Sequence, residues 1–136
     1  MLVIDASAVV ELLLERPAAR RIAARITARG SDLHAPHLLD VEVLSALRAL
    51  TLRGELPVKR AEQALDDFES LPVERYPHRG LIARAWDVRS TFSPYDGVYV
   101  ALAEALAAQG ATLLTADGRL ARAAGAFCPV ELVGGS

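Results

Sequence analysis

The sequence is short of the residues that several functional classes require. Cys128 is the only cysteine in 136 residues, so the chain can form neither an internal disulfide nor a CxxC zinc site. Aromatic residues make up 5%, too few for a stacking platform that holds single-stranded bases. No apolar run approaches the ~20 residues of a membrane span. The opening MLVIDAS lacks a basic stretch, and Asp5 breaks its apolar run, unlike a secretory signal. Positive charge is not in excess either. The formal net charge is −2, which argues against a nucleic-acid binder with a uniformly basic surface. Lys59 is the only lysine among 15 basic residues. The others are Arg, the better fork for phosphate, although a codon bias gives the same count. The expectation is a soluble, cytoplasmic protein with no membrane association.

What is present reads as one globular domain over residues 1–133, with 134–136 as a short flexible tail. Hydrophobic residues make up 52% and charged residues 24%, an ordinary balance for a folded domain. Apolar strand-like runs alternate with helical segments. Strands are expected at Leu2–Ile4, Asp32–Ala35, Val73–Tyr76, Ala111–Thr115 and Val130–Val133. Helices are expected at Ala6–Leu14, Ala18–Arg29, Leu38–Leu52, Val58–Ser70, Leu81–Thr91, Pro94–Gln109 and Asp117–Ala124. Such alternation implies an α/β fold with a central parallel sheet of four to five strands covered on both faces. Ligands of open sheets bind at the carboxyl ends of the strands, where Asp5 and Asp117 are expected.

Four acids stand out, each with a plainer reading. Asp5 and Asp117 can cap the helices that follow them. Asp96 completes Ser93-Pro94-Tyr95-Asp96, a pattern close to a capping box with Pro at the first helical position. Glu42 is harder to explain so simply. At about 100° per residue it shares a sector with Leu38, Ala46 and Ala49, an apolar stripe where a lone carboxylate is costly. Ser45 falls beside it and is placed to hold it. Asp96 lies similarly on the stripe of Val100, Ala103 and Ala107. If the four acids converge, their mutual repulsion raises their pKa values or recruits a cation. An all-oxygen set of this kind suits Mg²⁺ or Mn²⁺, the ions of metal-assisted phosphoryl chemistry.

These segments resemble a known family. Val3-Ile4-Asp5-Ala6-Ser7 is similar to the opening of PIN-domain nucleases, and Val41-Glu42-Val43-Leu44-Ser45-Ala46-Leu47-Arg48 to their Glu motif. Tyr95-Asp96-Gly97-Val98-Tyr99-Val100-Ala101-Leu102-Ala103 resembles the third motif, and Leu114-Thr115-Ala116-Asp117-Gly118-Arg119-Leu120 the fourth. Their order and spacing resemble the VapC toxins of bacterial type II toxin–antitoxin systems over the whole chain. The family often carries Asn three residues after the Glu, where this chain has Ser45. The resemblance implies a PIN-like three-layer α/β/α fold and an endoribonuclease dependent on Mg²⁺ (or Mn²⁺). Asp5, Glu42, Asp96 and Asp117 would surround the metal, with Ser7, Ser45 and Thr115 orienting them. It also implies a cognate antitoxin, a homodimer, and a structured RNA substrate such as tRNA or rRNA. Arg20, Arg21, Arg25 and Arg29 would then be available for phosphate contacts, or would form a solvated helix face.

Other chemistries fit less well. His34 and His37 flank Ala35-Pro36 in what reads as a surface loop, and no third ligand follows at zinc spacing. His78 is isolated, so a two-histidine ribonuclease has no pair. A nucleophile elbow is absent, as are phosphate-loop and dinucleotide glycine patterns. A phospho-receiver or haloacid-dehalogenase domain needs a Lys near a later strand end, and Lys59 stands at the start of a helix in mid-chain. The rival from another class is a non-catalytic binding module of the same fold, acting through a partner protein.

Overall fold

The computed structural model describes residues 1–28, 30 and 32–134. Five strands, β1 (Leu2–Ile4), β2 (Leu33–Pro36), β3 (Val73–Tyr76), β4 (Thr112–Thr115) and β5 (Val130–Leu132), form one sheet in the order β3-β2-β1-β4-β5. All pairings are parallel. The helices are α1 (Ala6–Leu13), α2 (Ala19–Ala28), α3 (Leu38–Leu52), α4 (Val58–Ser70), α5 (Ile82–Asp87), α6 (Pro94–Leu106) and α7 (Gly118–Ala124).

The two-residue period of β1 sorts the core into two layers. Leu2 and Ile4 pack with Val9, Ile22, Leu39, Val43 and Phe68 under α1–α4. Val3 points the other way and packs with Leu113, Tyr99, Val100, Leu102 and Leu120 under α5–α7. Leu2, Val3, Ile4, Leu113 and Leu114 are all buried, which explains why the central strands are continuously apolar rather than alternating. The result is a three-layer α/β/α sandwich.

The strand order fixes where a ligand can sit. From β1 the chain moves outward through β2 to β3, then returns to build β4 and β5 on the other side. Adjacent strands β1 and β4 therefore send their following segments apart, and a crevice opens at their carboxyl ends.

Local departures from the expected elements have identifiable causes. The segment expected as one helix over Leu81–Thr91 holds α5 only to Asp87, followed by turns in which Thr91 and Phe92 N–H both donate to Val88 O. Val88 and Phe92 are both buried, and their spacing of four imitates a continuing helix. The helix expected to run to Gln109 is α-helical to Leu106 and then tightens into a 3-10 turn over Ala107–Gln109, closed by Gly110 at φ 90°. His34, expected in a surface loop, is instead a buried residue of β2. Its Nδ1 lies 2.7 Å from the Tyr76 hydroxyl and its Nε2 2.6 Å from Asp32 Oδ1. Gly134, expected in the tail, has a φ of 62° and lies against Ala18, where a Cβ would clash. Gly135 and Ser136 fall outside the described residues. No helix among the described residues is long and apolar enough to cross a membrane.

Candidate active site

The crevice at β1 and β4 is built first by their two following turns. Asp5 leaves β1 in an extended conformation and caps α1, its Oδ1 accepting from Ala8 N–H at 3.0 Å. The Ser7 hydroxyl donates to the same oxygen at 2.7 Å. Thr115, at the end of β4, donates to Asp5 Oδ2 at 2.6 Å and accepts from Asp117 N–H at 3.0 Å. Ser7 Oγ also accepts from Ala116 N–H at 2.9 Å, so the two hydroxyls stitch the β1 turn to the β4 turn. Asp117 caps α7, its Oδ1 accepting from Arg119 and Leu120 N–H. For both Asp5 and Asp117 the capping reading and the site reading hold together, because one oxygen caps while the residue faces the crevice.

Glu42 and Asp96 reach the same place from helices on opposite faces of the sheet. Glu42 lies on α3 and Asp96 in the first turn of α6. Ser93 caps α6 by accepting from Asp96 N–H at 3.2 Å, which leaves the Asp96 carboxylate free to turn inward. Both acids are half-buried. An open cleft of about 480 Å³ leads away from Glu42 between α1 and α3, with Ser7, Ala46, Ala49 and Ala116 in its walls.

The electrostatics tie the four acids together. Burial pushes the Asp5 carboxyl up to about 6, with a smaller push from Asp117, against the lowering effect of the bonds from Thr115, Ala8 and Ser7. Desolvation raises Glu42 above its ordinary value, and the charges of Asp5 and Asp96 raise it further. Desolvation likewise raises Asp96, Asp117 adds to the rise, and Arg119 opposes it. Among the described residues none of the four is in an ion pair. Nor do three His, Cys, Asp or Glu side chains close on a single point as a ready metal cage.

A family model described as PIN domain matches residues 2–126. The chain belongs to the PIN-domain family. Within it, the sequence falls among the VapC ribonucleases. It is 44% identical over 133 residues to Ribonuclease VapC12 of Mycobacterium tuberculosis, covering 98% of this chain and 99% of that protein. It is 43% identical to Ribonuclease VapC9 of the same species, covering 98% of each, and 44% identical to Ribonuclease VapC1, covering 96% of each. Two solved structures share the fold. PAE2754 from Pyrobaculum aerophilum superposes with a TM-score of 0.65 at 21% identity, covering 90% of this chain and 78% of that one. VapBC2 from Rickettsia felis, solved bound to a DNA fragment from its promoter, gives 0.66 at 13% identity, covering 97% and 98%.

Within this PIN domain the residues singled out from sequence divide clearly. Asp5, Glu42, Asp96 and Asp117 form one electrostatic cluster, and Ser7 and Thr115 touch Asp5. Ser45 does not hold Glu42: it is exposed at the cleft wall, and no hydrogen bond joins the two. The position beside Glu42 is taken instead by Tyr99, 1% exposed, which the sequence reading missed. Tyr99 lies three residues after Asp96, one turn along the same helical face, and that spacing was the available signal. Its hydroxyl is buried without a well-formed hydrogen bond among the described residues. The histidines stay apart from the site. His78 accepts from Leu38 N–H at 2.9 Å, and its ring lies 6.2 Å from that of His37.

Proposed function

We propose that this PIN domain is a metal-dependent endoribonuclease, the toxin of a type II toxin–antitoxin pair, and that it hydrolyses structured RNA at the Asp5–Glu42–Asp96–Asp117 cluster. The observation that carries the reading is four electrostatically coupled carboxylates at one strand-end crevice, none of them in an ion pair among the described residues. The raised affinity of Asp5, Glu42 and Asp96 for protons is the signature of a site short of positive charge. The donor chemistry fits Mg²⁺ or Mn²⁺, which prefer oxygen ligands.

A divalent cation held there supplies Lewis-acid chemistry, activating water and offsetting charge on the phosphate. The chain's own residues do the positioning. Asp5 and Asp96 would be the most direct ligands, with Asp117 and Glu42 completing the site or acting through water. Ser7 and Thr115 keep both Asp5 oxygens oriented, as outer partners do for ligating carboxylates. The RNA-cleaving relatives named above and the antitoxin complex among the structural neighbours favour the same reading. The VapBC2 complex also favours a cognate antitoxin as partner, and a homodimer acting in the cytoplasm completes the reading we propose. The test is cleavage of RNA by antitoxin-free protein. Activity that EDTA removes and Mg²⁺ or Mn²⁺ restores supports the reading. Intact RNA in the presence of both ions overturns it.

A further inference from the structure

The cleft that starts at Glu42 contains one cation among its described lining residues, Arg16. It runs along α3 from Glu42 past Ser45 and Ala46 to Ala49, a span of roughly 10 Å at 1.5 Å per residue. The α3 wall beyond Glu42 is made of small side chains, which leaves it open. On the far side of Arg16 a second hollow of about 610 Å³ begins, into which Arg20 also faces. Arg16 thus stands where the two depressions meet.

The backbone holds Arg16 firmly there. Helix α1 ends in a Schellman motif: Glu15 adopts a left-handed φ of 53°, Arg16 N–H donates to Glu11 O at 3.0 Å, and Glu15 N–H donates to Leu12 O at 3.2 Å. Arg16 O in turn accepts from Ala19 N–H at 2.8 Å. The side chain is far less engaged. Its contact is a 3.8 Å approach to Glu11, and no hydrogen bond occupies the guanidinium among the described residues. Other arginines are committed to the fold. Arg25 donates to Glu131 at 2.6 Å, Arg75 to Asp40 at 2.8 Å, Arg84 to Glu104 at 2.6 Å and Arg60 to Leu13 O at 2.7 Å. Of the residues expected from sequence to contact phosphate, Arg25 is thereby removed, and Arg29 lies outside the described residues.

We propose that Arg16 binds a backbone phosphate of the RNA next to the one being cut, so that the strand leaves the acid cluster along the α1–α3 cleft and crosses Arg16 toward Arg20. This rests on the ribonuclease reading above. A cleft that begins at Glu42 of the acid cluster and also carries Glu11 repels the polyanion, and a fork with unoccupied donors in the same cleft is the group that offsets this.

The test measures binding of a single-stranded RNA to Asp96→Asn protein in Mg²⁺, across a range of salt, with and without changes at Arg16. Loss of one phosphate contact flattens the slope of log K against log salt by about 0.7. Arg16→Ala is expected to show that flattening and about tenfold weaker binding, with Arg16→Lys keeping the slope. Glu11→Gln frees Arg16 from its nearest carboxylate and is expected to bind as tightly as the parent or more so. An unchanged slope in Arg16→Ala overturns the proposal, even if that variant melts earlier. So does a Glu11→Gln variant that loses affinity as Arg16→Ala does. If otherwise unaltered protein cleaves RNA while Arg16→Ala keeps the slope, only this inference fails. If it neither binds nor cleaves RNA, the ribonuclease reading fails with it.

Discussion

Thr115 donates a 2.6 Å hydrogen bond to Asp5 Oδ2 across 110 residues of sequence. The bond joins the end of β4 to the end of β1, and Thr115 Oγ1 also accepts from Asp117 N–H. One fully buried hydroxyl therefore aligns two of the four acids. Thr115→Val keeps the shape and removes the donor and the acceptor. It is expected to cost about 1.5–3 kcal/mol, the range for a bond to a charged group, and to raise the metal concentration needed for half-maximal activity. Thr115→Ser is expected to recover most of both. Thermal melts and a Mg²⁺ titration of cleavage check this. A Val variant with an unchanged metal requirement would contradict it.

Asp5 makes the metal-free protein sensitive to pH in an unusual direction. Its folded carboxyl titrates near 6, raised from an ordinary 3.8, so the folded state holds the proton more tightly than the unfolded chain. Its contribution is therefore fully present below about pH 4 and is lost as pH rises through 6, on the order of 3 kcal/mol. Asp5→Asn removes this loss and retains an oxygen to cap α1. In EDTA, denaturant melts at pH 4 and pH 7.5 should show the variant gaining on the parent as pH rises. Parallel pH dependence in the two proteins would contradict the burial argument.

Asp96→Asn separates chemistry from folding. The Asp96 backbone N–H, not its carboxylate, makes the cap to Ser93, so the helix start survives the change. Cleavage is expected to fall by more than about 100-fold, beyond the 10–100-fold typical of outer partners, with a melting temperature equal to or slightly above the parent's in EDTA. Single-turnover cleavage and calorimetry read the two effects.

Tyr99→Phe tests the group that the sequence reading missed. The buried hydroxyl sits beside Glu42 without a well-formed hydrogen bond among the described residues, so its removal should leave stability close to the parent's, short of the ~1–3 kcal/mol that a fully made buried bond would cost. The phenol also lowers the Glu42 carboxyl. The acid limb of the pH–rate profile should therefore move to higher pH in the variant. A large loss of stability together with an unmoved profile would mean that the hydroxyl is a structural anchor.

Much of this arrangement is legible in the sequence, for reasons that can be named. The run Leu2-Val3-Ile4 before Asp5 and the run Leu113-Leu114-Thr115 before Asp117 show where strands end, and strand ends in a parallel sheet face one crevice. Glu42 and Asp96 stand out because each interrupts an apolar helical stripe. What escaped detection depends on partners distant in sequence. His34 is buried in β2, with its ring against the Tyr76 hydroxyl 42 residues away, and nothing near Ala35-Pro36 shows that. Arg16 stands among many arginines, and its unoccupied donors become visible only once Arg25, Arg60, Arg75 and Arg84 are seen to be committed. Ser45 failed as a support for Glu42 because it is exposed at the cleft wall, while the group beside Glu42 is Tyr99 from the other face of the sheet.

The central claim is that hydrolysis uses carboxylate-held divalent metal rather than the RNA's own 2′-hydroxyl. In-line attack by water expels the 3′ oxygen and leaves 5′-phosphate and 3′-hydroxyl ends, with all activity lost in EDTA. General acid–base cleavage leaves a 2′,3′-cyclic phosphate and is indifferent to chelation. End-group analysis of an RNA oligonucleotide cleaved by the purified protein decides between them. The account predicts 5′-phosphate and 3′-hydroxyl ends; cyclic phosphate ends, or full activity in EDTA, would contradict it.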